Sequence, residues 1–431
     1  MTRRDRLAAG LAAFALAVAL ELVRGHADWG PSEGVYALTS RLLLHGGDLY
    51  GGLVASQPPW VYLFGAGALA IHDSLDALRL ACGCLQVVTA LLAAEAVWRL
   101  TGHRLAAILV APLVVLTPWA VHQHGLLLPE QLGAPLLLGA ALFASRPDSA
   151  RWAGVLAAVA VFAKLPFLLP ALALVAVSPA RAVAARWALG ALAAQAAIFT
   201  AVFGTGFWRE VVQAQQQSGH GLELQIGSFV QAAWNLAPLL VLAAAALWLG
   251  PSRPDLAGAR GQARDGALLA TLAATAAGVL ATVLTIVKPG TGLNVIVPSE
   301  PLLATLAVAG IVWALRTPLR AGAAVAGAAL VALALAQSAS LLVDPTNPRP
   351  FHRPLSSTPG WKVGATREQM RVLVAAAEAC PAGTVYGGPP LVAFIAHRRV
   401  PAGQPDAFIV SHAAMHAAVL RRLLADGPRC P

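Results

Sequence analysis

Two stretches decide how this chain is read: GPSEGVYALTSRLLLHGGDLY at residues 30–50 and SQPPWVYLFGAGALAI at residues 56–71. Both look helical, yet neither offers the roughly 20 apolar residues a membrane-crossing helix needs. In the first, Val35, Leu38, Leu42 and Leu43 recur at helical spacing between Glu33 and Leu44, and the second begins with Pro58 and Pro59, residues suited to a helix start. If the second crossed the bilayer, Glu130 would fall on the cytoplasmic side and Arg99 and Arg104 outside, against the cytoplasmic enrichment of basic residues. Two helices lying on the outer membrane surface reconcile the charges. They also put Glu33 and Glu130 on the same face.

The sequence on either side belongs in a bilayer. Of 431 residues, 58% are hydrophobic and only 12% charged, with a mean hydropathy of +0.69; a soluble domain is about a quarter charged. The net charge of +10 could suit nucleic acid, but the basic residues are scattered between long apolar runs, so the charge is topological and no nucleic-acid partner is expected. The 4 Cys fit neither a zinc-ligand spacing nor a dense disulfide framework.

About eleven spans are expected, near 7–24, 77–98, 105–124, 131–145, 151–164, 166–179, 187–204, 229–249, 267–287, 301–315 and 321–342. Several are short, so Lys164 with Pro166 and Pro170 could form a re-entrant apex instead of joining two full helices. With the N-terminus inside, the inner segments carry Arg3, Arg4, Arg6, Arg99, Arg104, Arg146, Arg151, Arg181, Arg186, Arg253, Arg260, Arg264, Arg316 and Arg320. The outer ones carry only Arg24, Arg41, Arg79, Lys164, Arg209 and Lys288. The first span reads as a retained anchor, not a cleaved signal.

The expected fold class is therefore an all-α multi-pass membrane protein followed by a small C-terminal α/β domain outside. The transmembrane domain covers residues 1–342, a Pro-rich linker 343–365 and the outer domain 366–431. Within the outer domain the pattern predicts helices at 366–379, 389–396 and 412–424, with strands at Thr384–Tyr386 and Ala407–Val410. Cys380 and Cys430 bracket it, and in an oxidising compartment they are either a disulfide or two reduced thiols. Cys82 and Cys84 read as packing residues.

Ionisable groups in or beside spans are functional candidates. Glu33 and Glu130 each stand in the first turn of a helix, where an acid is favoured by the dipole alone. Together over an outer cavity, two carboxylates can also deprotonate a hydroxyl or hold a divalent cation. Lys164, in VFAKLPFLLP, either snorkels to the interface or meets an anion. Lys288 opens KPGTGLNVIVPSEP, a second outer turn with Asn294 and Glu300. The two lysines and Arg41, gathered on the outer face, would suit a phosphate. His122 and His124 point to different helix faces; His124 remains a candidate ligand, with Glu33 and Glu130, should a divalent metal bind. Glu95 and Arg99, four apart, read as a structural pair, and Trp60, Tyr62 and Trp119 as interfacial aromatics.

The two opening stretches resemble the start of the GT-C superfamily, membrane glycosyltransferases that use lipid-linked sugars and include the protein O-mannosyltransferases and the lipid A aminoarabinose transferases. In those relatives an Asp-Glu pair begins a juxtamembrane helix, a Gly-x-x-Tyr element follows, and a Lys-Pro-Pro-aromatic segment opens a second helix. Here Glu33, Tyr36, Tyr50, Pro58 and Pro59 fit, whereas Ser32 stands where the first acid is usual and Gln57 where the Lys is usual. Pro129–Glu130, VFAKLPFLLP and KPGTGLNVIVPSEP resemble later family elements.

The resemblance implies an inverting hexosyl or pentosyl transferase in the bacterial cytoplasmic membrane. Its donor would be a polyprenyl-phosphate sugar and its acceptor a glycan, lipid or protein of the cell envelope. Glu33 would be the base, with Asp28 the alternative; Glu130 would bind the acceptor or a metal, and Lys164, Lys288 and Arg41 the donor phosphate. Asp28, Tyr36, Tyr50, Asn294 and Glu300 would line the substrates. The competing reading is a secondary transporter or lipid-carrier flippase, which should show inverted repeats and midplane charges; no convincing repeat is found.

Overall fold

The computed structural model describes residues 1–24, 31–213, 233–234, 236–244, 248, 259–286, 293–316, 320–343, 367–406, 421–422, 424–426 and 429–430. The chain is mostly helical. Among the described residues, five helices are long and apolar enough to cross a membrane, covering Arg3–Val23, Leu75–Thr101, Arg181–Phe203, Arg264–Thr285 and Val295–Ala314. This is a membrane protein. Of the expected span at 229–249, residues 233–234, 236–244 and 248 are described and are helical, with Leu236, Leu239, Leu242 and Ala243 in a core cluster.

Ten helices lead to the site. They are α1 (Arg3–Arg24), α2 (Pro31–Leu44), α3 (Trp60–Ile71), α4 (Leu75–Thr101), α5 (Arg104–Val115), α6 (Pro118–His122), α7 (Pro129–Ala144), α8 (Ala150–Ala163), α9 (Leu168–Val177) and α10 (Arg181–Phe203). Local chemistry sets their ends. The Ser74 hydroxyl accepts the Ala77 N–H at the start of α4, and Gly102 closes that helix in the left-handed conformation. At α8 the stop is Pro166, which has no N–H and whose ring would collide with the carbonyl four residues back. Lys164 turns extended (φ −158°, ψ 129°), a 3₁₀ turn spans Leu165–Phe167, and α9 begins at Leu168. The α3 helix, 12 residues long, reaches about 18 Å, well short of the roughly 30 Å hydrocarbon layer.

Small residues let the helices approach closely. A Cβ on Gly154 would lie 2.2 Å from the Ala184 carbonyl oxygen, so α8 and α10 are nearly in backbone contact. One large apolar cluster runs through α1, α4, α5, α7, α8 and α9. A second joins α2 and α3 to the C-terminal residues Leu391, Val392, Phe394 and Val400, so these two distant segments share one core.

The charged ends segregate. At one end Glu95 pairs with Arg6 and with Arg99, both at 3.2 Å. There Arg104 also meets Asp5, Arg99 donates to the Leu142 carbonyl at 2.8 Å and Arg316 to the Thr101 carbonyl at 3.0 Å. Every basic residue in this group belongs to the segments read as cytoplasmic. The opposite end holds α2, α3, Glu130, Lys164 and the C-terminal segment.

In the C-terminal region, helices occupy Arg367–Glu378 and Pro390–Ile395, and β1 (Val385–Tyr386) pairs in parallel with β2 (Arg429–Cys430). A disulfide joins Cys380 to Cys430, with Cα atoms 6.0 Å apart. The strand expected at Ala407–Val410 lies outside the described residues, as does most of the helix expected at 412–424. The partner of β1 among the described residues is a two-residue strand that alternation could not have revealed. Cys82 is buried and Cys84 exposed.

Candidate active site

The site is built where α2, α3, α4, α7 and the end of α8 meet under the C-terminal segment. Along α2, Glu33 and every residue from Tyr36 to Arg41 are buried, so this part of the helix is covered on all sides. Ser32, at the position where the GT-C pattern has its first acid, is exposed.

Glu33 is fully buried and not free. Both its oxygens accept from Arg79, at 3.1 and 3.0 Å, in the fork geometry that matches guanidinium to carboxylate. Arg79 also faces Glu21 at 3.7 Å, and Glu21 lies 3.9 Å from His124 Nε2. The other ring nitrogen of His124 meets Gln86 Oε1, and Gln86 donates to the Ala120 carbonyl at 3.2 Å. This network ties α1, α2, α4 and the turn after α6 together. Arg79 entered the sequence reading only as one of the outer basic residues, and Glu21 not at all. Each interrupts an apolar run, however, and that was the available signal.

Glu130 sits behind Pro129 in the first turn of α7 and is also fully buried. Lys164, at the break after α8, brings its ammonium onto Glu130 Oε1, and Oε2 is buried with no hydrogen-bond partner among the described residues. The two residues that the sequence assigned to separate roles are therefore partners. Tyr36 lies alongside. Its ring centroid is 5.8 Å from that of Tyr62, and burial pushes its phenol well above the usual pKa, with Tyr62, Glu130 and Asp406 adding in the same direction. Tyr62 is thus a buried member of the site and not an interfacial anchor.

The remaining candidates have other tasks. Arg41 pairs with Asp73 at 2.8 Å, donates to the Phe394 carbonyl and lies 3.6 Å over the Phe394 ring, so it holds α2 to the C-terminal region and is turned away from Lys164 in function. Tyr50 adopts φ 67°, its hydroxyl donates to the Gln57 carbonyl at 2.6 Å, and its ring packs on Phe203 and Phe207, each 5.5 Å away. Glu300 is fully buried and accepts from the Thr117 hydroxyl at 2.8 Å and the Ala120 N–H at 3.0 Å, which fixes the start of α6. Asn294 falls in a 3₁₀ turn at Leu293–Ser299. Asp28 and Lys288 lie outside the described residues.

A metal held jointly by Glu33, Glu130 and His124 does not fit this geometry. Among the described residues no three His, Cys, Asp or Glu side chains converge, and each carboxylate already faces a cation of its own.

No family model matches the chain, and no curated protein matches it by sequence. The fold does have a solved counterpart, the crystal structure of ArnT from Cupriavidus metallidurans bound to undecaprenyl phosphate. That structure is similar over 97% of this chain and 89% of its own, with a TM-score of 0.64 at 14% identity. The chain thus has an ArnT-like fold.

Proposed function

We propose that this chain is a glycosyltransferase that moves a sugar from a polyprenyl-phosphate carrier to an acceptor at the outer face of the bacterial cytoplasmic membrane. The observation that carries the reading is the buried Glu130–Lys164 pair with its one unpartnered carboxylate oxygen. Nucleotide sugars are confined to the cytoplasm, so a donor used outside must be lipid-borne, and its phosphate must meet a cation near the headgroups. The likeness to a chain crystallised with undecaprenyl phosphate supports such a donor.

In this reading Lys164 transfers its ammonium from Glu130 to the donor phosphate. Glu130 is then a buried carboxylate without its cation, open to accept a proton. The acceptor oxygen attacks the sugar C1 on the side opposite the phosphate, and the C1–O bond breaks with its electron pair passing to the phosphate. The acceptor proton goes to Glu130 Oε2. Lys164 stabilises the charge that develops on the leaving group. Donor binding itself thereby arms the base. Glu33, first considered for that role, anchors α2 through Arg79 instead, since both its oxygens are occupied.

Undecaprenyl phosphate binding to purified variants tests the exchange. Lys164→Met removes a charge-assisted contact and should weaken binding by about tenfold or more, with Lys164→Arg in between. Glu130→Gln frees the ammonium and should bind the lipid at least as tightly as wild type while turnover falls by about 10²–10⁴-fold. Turnover would be read as the envelope glycan product in a complemented deletion strain. If Lys164→Met binds as tightly as wild type, the phosphate site lies elsewhere.

A further inference from the structure

A groove on the outside of the bundle lies apart from the Glu130–Lys164 pair. Its volume is about 530 Å³, and α3, α4, α7 and α8 line it wholly with apolar residues, among them Leu92, Leu136, Gly139, Phe143, Leu156 and Val159. Most of these side chains are half-buried, so the groove opens sideways to the bilayer. Gly139 makes the room, since a Cβ there would lie 3.1 Å from the Leu156 side chain. From Leu132 to Phe143 the groove follows α7 for about 16 Å, roughly half of a 30 Å hydrocarbon layer. Its outer end is walled by Trp60, Leu63 and Phe64 of α3, and the Trp60 indole N–H is engaged by Gln195 at 2.8 Å. At about 100° per residue, Leu132, Leu136, Gly139 and Phe143 share one face of α7, and Glu130 lies on the opposite one. The groove therefore does not lead to the transfer site.

The other end of the groove is basic. Arg146 follows Phe143 by three residues in the turn after α7; its N–H donates to the Phe143 carbonyl at 3.4 Å and its side chain is exposed. Arg99 fixes that turn by donating to the Leu142 carbonyl at 2.8 Å and the Ser145 hydroxyl at 3.5 Å. On α8, Trp152 precedes Leu156 by four residues and Val159 by seven, so it extends the same face beyond the groove. Trp152 is exposed, as a Trp at headgroup depth is, and the Arg151 guanidinium lies 5.4 Å from its ring. Asp148 is the carboxylate of this turn, yet neither Arg146 nor Arg151 forms an ion pair with it or with any other described residue. A groove walled at its outer end and opening beside two unpaired guanidiniums receives a lipid from that side. We propose that it binds an anionic phospholipid of the leaflet on the Arg99 side, with one acyl chain between α4, α7 and α8 and the head phosphate on Arg146 and Arg151. The lipid braces α7 against α8, the two helices that carry Glu130 and lead to Lys164. The site stands independently of the donor reading.

The test uses the full chain in neutral detergent and native mass spectrometry, comparing phosphatidylglycerol with phosphatidylcholine of the same acyl chains. Wild type should prefer phosphatidylglycerol by about thirtyfold, since each of two basic residues at an anionic headgroup contributes about fivefold. Arg146→Gln combined with Arg151→Gln should bring the two lipids near parity, whereas Arg3→Gln combined with Arg4→Gln, exposed at the same end, should leave the preference intact. Filling the groove with Leu156→Trp or Leu136→Trp should lower the affinity for both lipids by about tenfold or more, because less of the acyl chain is covered. Equal affinity of wild type for the two lipids overturns the site, as does an unchanged preference after the Arg146 and Arg151 changes. An equal loss after the Arg3 and Arg4 changes marks a diffuse basic surface and overturns it too. Full lipid binding by a filled variant that melts as wild type does removes the groove from the argument. Displacement of phosphatidylglycerol by equimolar undecaprenyl phosphate hands the groove to the donor's tail. If both filled variants melt early, the arginine comparison decides alone.

Discussion

Neutralising Glu33 separates an anchoring role from a catalytic one. A general base replaced by its amide loses rate by about 10²–10⁴-fold with little change in folding. A buried ion-pair member behaves differently, since removing one partner strands the other charge, at a cost of about 3–5 kcal/mol. The two partners are not equivalent here. Glu33 is fully buried and its hydrogen bonds all run to Arg79, so Arg79→Gln leaves a carboxylate with no cation. Arg79 keeps Glu21 at 3.7 Å when Glu33 is changed. Arg79→Gln should therefore cost the full amount and Glu33→Gln less, about 2–3 kcal/mol. The double variant should fall short of their sum by about 1–3 kcal/mol, the coupling expected of contacting residues. Equilibrium unfolding in mixed detergent, followed by Trp fluorescence, measures all three. Wild-type stability in both single variants, or strict additivity in the double, would refute the anchor; a stable but inactive Glu33→Gln would return Glu33 to the role of base.

Two further outcomes are expected. A reporter active only in the periplasm and fused after Leu342 should be active, and activity of a cytoplasm-only reporter at that point would invert the orientation and move the site to the other face. Breaking the Cys380–Cys430 bond, which spans 50 residues, should cost the C-terminal region about 4 kcal/mol of loop-closure entropy; Cys430→Ser should then be cut within 367–430 by trypsin much faster than wild type, and equal cutting rates would show that the bond carries no such load.

The fold was legible where its signals are long. Apolar runs marked α1, α4 and α10, and the break at Lys164 followed from Pro166. Against the 11 expected spans stand five qualifying helices among the described residues, since pieces such as α5, α8 and α9 are too short to be judged by length alone. The site was legible as a set of residue types but not as pairings. Glu130 and Lys164 were each found as ionisable groups beside apolar runs, yet 34 positions separate them, and no local pattern says that they touch. Arg41 looked like a free cation and is engaged by Asp73 and Phe394, the latter 353 positions away. Gln404 carried no local mark of its bonds to the loop between α2 and α3, some 350 positions away.

That reach sets the order in which the molecule can be completed. Val54 emerges early and Gln404 some 350 residues later, an interval of about 20–70 s at ordinary elongation rates. Throughout it, α2 presents Gly34 where the backbone of Leu391 will later lie so close that a Cβ would sit 2.2 Å from its nitrogen. Until Leu391 has been made, that side of α2 has nothing of this segment packed against it. A message truncated before the Gln404 codon should yield a chain whose loop between α2 and α3 lacks both Gln404 hydrogen bonds, and a protease should cut that loop faster than in wild type.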